Sequence, residues 1–338
     1  MSGDGLGLDD DLGRRAGGLL DLFFEPVFAA SRENEERAGR GEAPVGVRRP
    51  EREGFAGLHP RNVAGFGTLL PLRCGGVRGW AGCYGAAVSE PTTHILVEAG
   101  VVTVLRFDRP EKKNAITAVM YNALSRALND AAADDAVHVV LILGSQGSFT
   151  AGNDLKDFLE HPPEGEDSAV FRLLEALRTF PKPLVAAVDG VAIGIGTTLL
   201  LHCDLVYASE RARFQMPFIN LAVTPEGASS YLLPRVVGMQ RASQWLFFGE
   251  AFGAEEARAA GMINAIVPAA ELEAYARNRC DVLAAKVPGA LRAAKELLRG
   301  PEREAVGVAM SREGAEFLSR IGSPEAVAAF ARFLAPKG

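Results

Sequence analysis

The sequence predicts an α/β fold with a buried parallel sheet, followed by a helical C-terminal region. Two patterns carry that prediction. Short, wholly apolar runs such as Leu184 to Val188 alternate with helical periodicity from Thr93 to about Gly238. Strands covered by helices on both faces read as continuous apolar runs rather than alternating ones. Beyond Gly238 the apolar spacing becomes almost wholly helical.

Residues 1–88 stand apart from this pattern. They are rich in Gly, Arg, Glu and Pro, as in Arg48-Arg49-Pro50-Glu51-Arg52-Glu53, and are expected to form a low-complexity, disordered extension. Such composition buries too little apolar surface to offset the entropy of ordering. A core domain is expected over 89–268 and a helical region over 269–338. Within the core, Val101 to Phe107 reads as a strand, and Thr117 to Asp134 as an amphipathic helix with Thr117 at its N-cap. Val137 to Leu143 is a strand, Ser168 to Thr179 a helix, and Leu184 to Val188 and Leu205 to Ala208 are short strands. Helices are then expected over 239–248, 254–260, 270–286, 288–299 and 303–333, with one strand at Ile263 to Val267.

Composition narrows the function. The 338 residues carry a net charge of -6 and no long basic run, which argues against a nucleic-acid partner. No apolar run reaches the roughly 18 residues that suggest a membrane span. The four cysteines, Cys74, Cys83, Cys203 and Cys280, form no CxxC pair, and the five histidines form no HxxxH pair. No metal site is therefore expected, and a reducing, cytoplasmic location is.

Three segments carry candidate chemistry. In the first, Ser148-Phe149-Thr150-Ala151-Gly152-Asn153-Asp154-Leu155-Lys156, glycine lets the backbone turn an N–H outward; the same run also reads as a corner capped by Asp154. The second, Gly190 to Leu201, places Gly194 and Gly196 at the start of a helix, where unpaired N–H groups suit an anion. Leu199 occupies the third glycine position of a dinucleotide fingerprint, so that reading fails. The third, Thr224-Pro225-Glu226-Gly227, holds one acid near a helix start among Phe218, Leu221, Val223 and Tyr231. Glu226 there either favours the helix dipole or serves as a base whose pKa an apolar pocket raises. His202, beside Cys203 and Asp204, reads as part of a structural cluster.

Taken together, these segments resemble the crotonase (enoyl-CoA hydratase/isomerase) superfamily over residues 93–335. The resemblance also runs through Arg109-Pro110-Glu111-Lys112-Lys113-Asn114-Ala115-Ile116 and Pro181-Lys182-Pro183-Leu184-Val185-Ala186-Ala187-Val188-Asp189-Gly190. It implies a crotonase-like ββα spiral core with a helical C-terminal trimerisation region, hence a homotrimer or homohexamer, and an acyl-CoA thioester as partner. It implies an oxyanion hole from the N–H groups of Asn153 and Ile195, with substrate contacts at Ala151, Gly152, Asp154, Leu155, Gly194 and Gly196. Lys112 and Lys113 either meet the CoA phosphates or are simply solvated. Hydratases of the family use two glutamates, whose positions here hold Thr198 and Phe218. The chain is instead similar to the single-glutamate 3,2-trans-enoyl-CoA isomerases, with Glu226 as the catalytic acid. The implied role lies in fatty-acid oxidation, with no cofactor beyond the coenzyme A of the substrate. Hydration or another acyl-CoA reaction, and a non-catalytic acyl-CoA-binding scaffold, stand as alternatives.

Overall fold

The computed structural model describes residues 93–334, apart from 161, 162, 164 and 166. The extension expected over 1–88 lies outside the described residues. A six-stranded sheet forms the centre. It comprises β1 (Ile95–Glu98), β2 (Val102–Phe107), β3 (Val139–Leu143), β4 (Leu184–Val188), β6 (Leu205–Ser209) and β9 (Ala265–Val267), neighbours in that order. Only β1 runs antiparallel to its neighbour. A smaller sheet comprises β5 (Val191–Ile193), β7 (Arg213–Gln215) and β8 (Phe252–Gly253).

The chain winds between the two sheets. It leaves β2 to pair at Ile116, then forms α1 (Ala118–Ala133). After β3 it pairs at Thr150 and Asn153, then forms α2 (Leu155–Glu160) and α3 (Ala169–Thr179). From β4 it passes through β5 into the short α4 (Ile195–Thr198). From β6 it passes through β7 toward α5 (Ser229–Val237). Each turn thus adds a strand to the large sheet, an extended step to the small layer and then a helix, which is the expected ββα spiral.

Strand alternation explains the burial. Val140 and Ile142 face the main core with the α1 residues Met120, Leu124 and Leu128. Val139, Leu141 and Leu143 point the other way, against Leu272, Ala276 and Cys280. All five residues of β3 and of β4 are therefore buried. Thr117 caps α1 as expected, its hydroxyl accepting the Met120 N–H at 3.4 Å.

The C-terminal part contains α6 (Met239–Phe248), α7 (Ala254–Ala259), α8 (Leu272–Ala284), α9 (Pro288–Ile321) and α10 (Pro324–Leu334). The expected break between residues 299 and 303 is absent: α9 runs 34 residues through Pro301. Leu297, whose carbonyl loses its partner to Pro301, is 79% exposed, so water can satisfy it. Contacts hold both sides in line. Lys295 meets Asp204 at 2.8 Å, Arg299 donates to Cys203 O at 2.7 Å, and Arg178 donates to Arg303 O at 3.0 Å.

Candidate active site

Two loops and one turn converge at the open end of the spiral. The first loop is fixed by Asn114, fully buried, whose amide donates to Ser148 O at 2.7 Å and whose oxygen accepts the Arg109 N–H at 2.8 Å. Thr150, also fully buried, donates to Asn114 O at 2.7 Å and accepts the Gly152 N–H at 3.1 Å. Gly152 adopts φ +82°, and a Cβ there would lie 2.5 Å from Ile193 O. Only glycine lets this loop approach the second one so closely. Gly196 serves the same approach from the other side, since a Cβ there would lie 2.5 Å from Thr150 Cγ2.

That approach sets Asn153 beside the start of α4. Among the described residues, neither the Asn153 N–H nor the Ile195 N–H has a protein acceptor. Both residues line a cavity of about 720 Å³. Of the other expected contacts, Lys112, Lys113, Ala151, Gly152, Asp154, Leu155 and Gly194 also line it, and Gly196 does not. Lys113 and Asn114 take left-handed backbone angles, φ 49° and 58°, so the chain turns sharply at the cavity lip. Asp154 combines both sequence readings of its corner. Its carboxylate caps α2 by accepting the Lys156 N–H at 3.1 Å and meets Arg109 at 2.6 Å. Burial works to raise its pKa, but the Arg109 hydrogen bond and the α2 amides hold it below the usual carboxylate range.

Glu226 sits three residues before α5, near a helix start as the sequence suggests. Its Oε1 accepts the Thr198 hydroxyl at 2.6 Å. Its Oε2 is enclosed and has no hydrogen-bond partner among the described residues. Burial pushes its carboxyl up to about 8, with the Thr198 hydroxyl pulling down and Glu313 pushing up. Thr198 and Ile195 are opposite ends of α4, so one four-residue turn links the carboxylate to a free N–H. Glu226 itself does not line the cavity; Val223 and Ile195, each three residues from the Thr198–Glu226 contact, do.

Sequence reasoning missed several neighbours. Tyr121 of α1 donates to the Asn153 side chain, and its phenol is pushed up by burial, then by Glu226 and Asp157. Tyr121 also lines a second cavity of about 530 Å³, and Phe158 faces both cavities. Phe317 of α9 and Phe330 and Phe333 of α10 close the first cavity from the C-terminal region. Sequence marks these phenylalanines as apolar but cannot say that they face a cavity. Tyr231, expected near Glu226, instead lies under the Arg235 guanidinium at 3.4 Å. His202 is buried, with Nε2 against Gly227 O at 2.8 Å, and burial pushes it down to about 4. Among the described residues no group of His, Cys, Asp or Glu is arranged to hold a metal, and no helix is long and apolar enough to cross a membrane.

The enoyl-CoA hydratase/isomerase family matches residues 97–328. Enoyl-CoA delta isomerase 2 of Homo sapiens is 36% identical over 252 residues, which are 72% of this chain and 64% of the human protein. The match thus spans less than two thirds of that relative. The 2,3-dehydroadipyl-CoA hydratase of Escherichia coli is 34% identical, covering 63% of this chain and 84% of its own. The solved structure of Pseudomonas aeruginosa OdaA is 44% identical with a TM-score of 0.71, covering 72% of this chain and 100% of its own. With the family's model matched over most of its length, the chain belongs to the enoyl-CoA hydratase/isomerase family.

Proposed function

We propose that the protein converts 3-enoyl-CoA to 2-trans-enoyl-CoA in fatty-acid oxidation, with Glu226 as the one base. The observation that carries this reading is the enclosed, unpartnered Oε2 of a carboxyl raised to about 8. Oε1 is committed to the Thr198 hydroxyl, so Oε2 takes the proton and gives it back. The thioester oxygen binds the N–H groups of Asn153 and Ile195. Proton removal from C2 puts charge on that oxygen, where preorganised donors stabilise the dienolate more than the ground state. Return of the proton to C4 yields the conjugated product. The scheme calls for no metal or redox group, coenzyme A being part of the substrate.

Lys112 and Lys113 in the cavity wall suit the CoA phosphates, and an acyl chain running from the first cavity past Phe158 to the second meets Tyr121, whose phenol feels the Glu226 charge. Because Glu226 lies outside the first cavity's lining, substrate entry has to move its side chain or the adjoining wall. Hydration in the family's two-glutamate manner is disfavoured, because Thr198 and Phe218 stand where the first and second of those acids would be. We place the protein in the cytoplasm as a homotrimer or homohexamer; exposed Phe247 and Phe248 fit burial between subunits.

An ultraviolet assay tests the reading. Absorbance rises when a 3-enoyl-CoA becomes conjugated and falls when a 2-enoyl-CoA is hydrated. The expected result is a rise with the first substrate and little change with the second. A fall with the second and no rise with the first would replace isomerisation by hydration; silence in both would favour the scaffold.

A further inference from the structure

A second buried acid stands behind the first. Glu313 of α9 is 8% exposed, and each of its oxygens accepts a backbone N–H: Ala228 at 2.6 Å and Ser230 at 2.8 Å. The first amide lies in the turn that carries Glu226 and the second in the first turn of α5, which that turn leads into. Ala228 is held there at φ 58°, a left-handed angle that a non-glycine residue adopts only when its surroundings enforce it. An acceptor-only carboxylate bridging two amides is such an enforcement. The long helix reaches this position because the next residue is glycine: a Cβ on Gly314 would lie 2.6 Å from the Phe171 ring of α3.

We propose that Glu313 is a positioning residue for Glu226: it ties the 226–230 turn to the C-terminal helix and sets a second negative charge behind the base. The inference rests on the reading of Glu226 as the base. The groups facing Glu226 from each packed element are few. They are the Thr198 hydroxyl of α4, the Tyr121 phenol of α1, with Asp157 of α2 acting on that phenol, and Glu313 of α9. The His202 ring meets the same turn at Gly227 O and is neutral at pH 7. Glu313 acts on Glu226 directly, and its charge adds to burial in favouring the protonated base.

Glu313→Gln removes the charge and leaves one acceptor for two amides. The expected result is a kcat lower by about tenfold or more, as for a misplaced catalytic group, with KM nearly unchanged. The acid limb of the pH–rate profile moves to lower pH. Glu313→Asp keeps the charge on a shorter stem, so kcat falls while the limb stays near that of the parent. An infrared titration reads the same effect without turnover, from the carboxyl band that disappears in Glu226→Gln; its midpoint falls in Glu313→Gln. A limb and midpoint that stay in place, with kcat intact, would overturn the proposal. Should Glu313→Gln fail to fold, Glu313→Asp decides: full kcat overturns the proposal, and reduced kcat with unchanged KM and limb supports it. A parent protein inactive on 3-enoyl-CoA whose infrared midpoint still shifts would sink the isomerase reading alone.

Discussion

Thr198 and Glu313 act on Glu226 with opposite signs, one donating a hydrogen bond to the ionised form and the other repelling it. The base must be ionised to work, so kcat/KM is expected to rise with pH through about 8. Thr198→Val removes the donor and should move that limb to higher pH, the reverse of the shift in Glu313→Gln; a pH–rate series on the three proteins checks the pair. Stability follows the same group. The folded carboxyl titrates at about 8 and the unfolded one at 4.5, so the folded chain binds more protons between those values. Its stability therefore falls as pH rises from 4.5 to 8, on the order of 4 kcal/mol for this site. Glu226→Gln lacks that titration, so urea unfolding should show the gap moving in the variant's favour across this window. Glu226 was legible in sequence as a lone acid among apolar residues. Thr198 and Glu313 were not recognised as its partners, because hydrogen bonds between distant segments leave no local pattern.

At the scale of elements, the catalytic geometry depends on two close approaches. Gly152→Ala combines an unfavourable φ of +82° with a Cβ 2.5 Å from Ile193 O, so the loops must part. The expected outcome is a loss of about a hundredfold in kcat, with the chain still folded by circular dichroism. Lys182 illustrates the structural half of the family's motifs. Its ammonium is buried and donates to Ala131 O at 2.7 Å and Asp134 O at 2.6 Å, satisfying the end of α1. Lys182→Met takes the ammonium from the Ala131 carbonyl and leaves Asp134 O with the Val137 N–H alone, and should cost about 2 kcal/mol in urea unfolding, with KM unchanged. Strands β3 and β4 were readable because burial on both faces demands continuous apolar runs. The run of α9 through Pro301 was not, since local propensity predicts a break there and contacts to Asp204, Cys203 and Arg178 override it.

Across the whole molecule, the C-terminal helices complete the cavity that the spiral opens. Phe317, Phe330 and Phe333 come from residues whose sequence signal is only amphipathic, and whose expected role was assembly. Phe333→Ala should raise KM for the thioester severalfold with kcat little changed, as loss of uniform binding does; steady-state kinetics on one 3-enoyl-CoA suffices to check it. The order of the motifs made the spiral and its two N–H loops legible, because glycines and strand ends are local features. The closing helices are long-range features and were not. The central claim is that one enclosed oxygen, Glu226 Oε2, carries a proton from C2 to C4. Its most direct test is single turnover of a 3-enoyl-CoA deuterated at C2, in ordinary water, with the product examined by mass spectrometry and NMR. Deuterium appearing at C4 is the result predicted for a base sheltered from solvent; complete loss of the label to water, with no C4 deuterium, would contradict it.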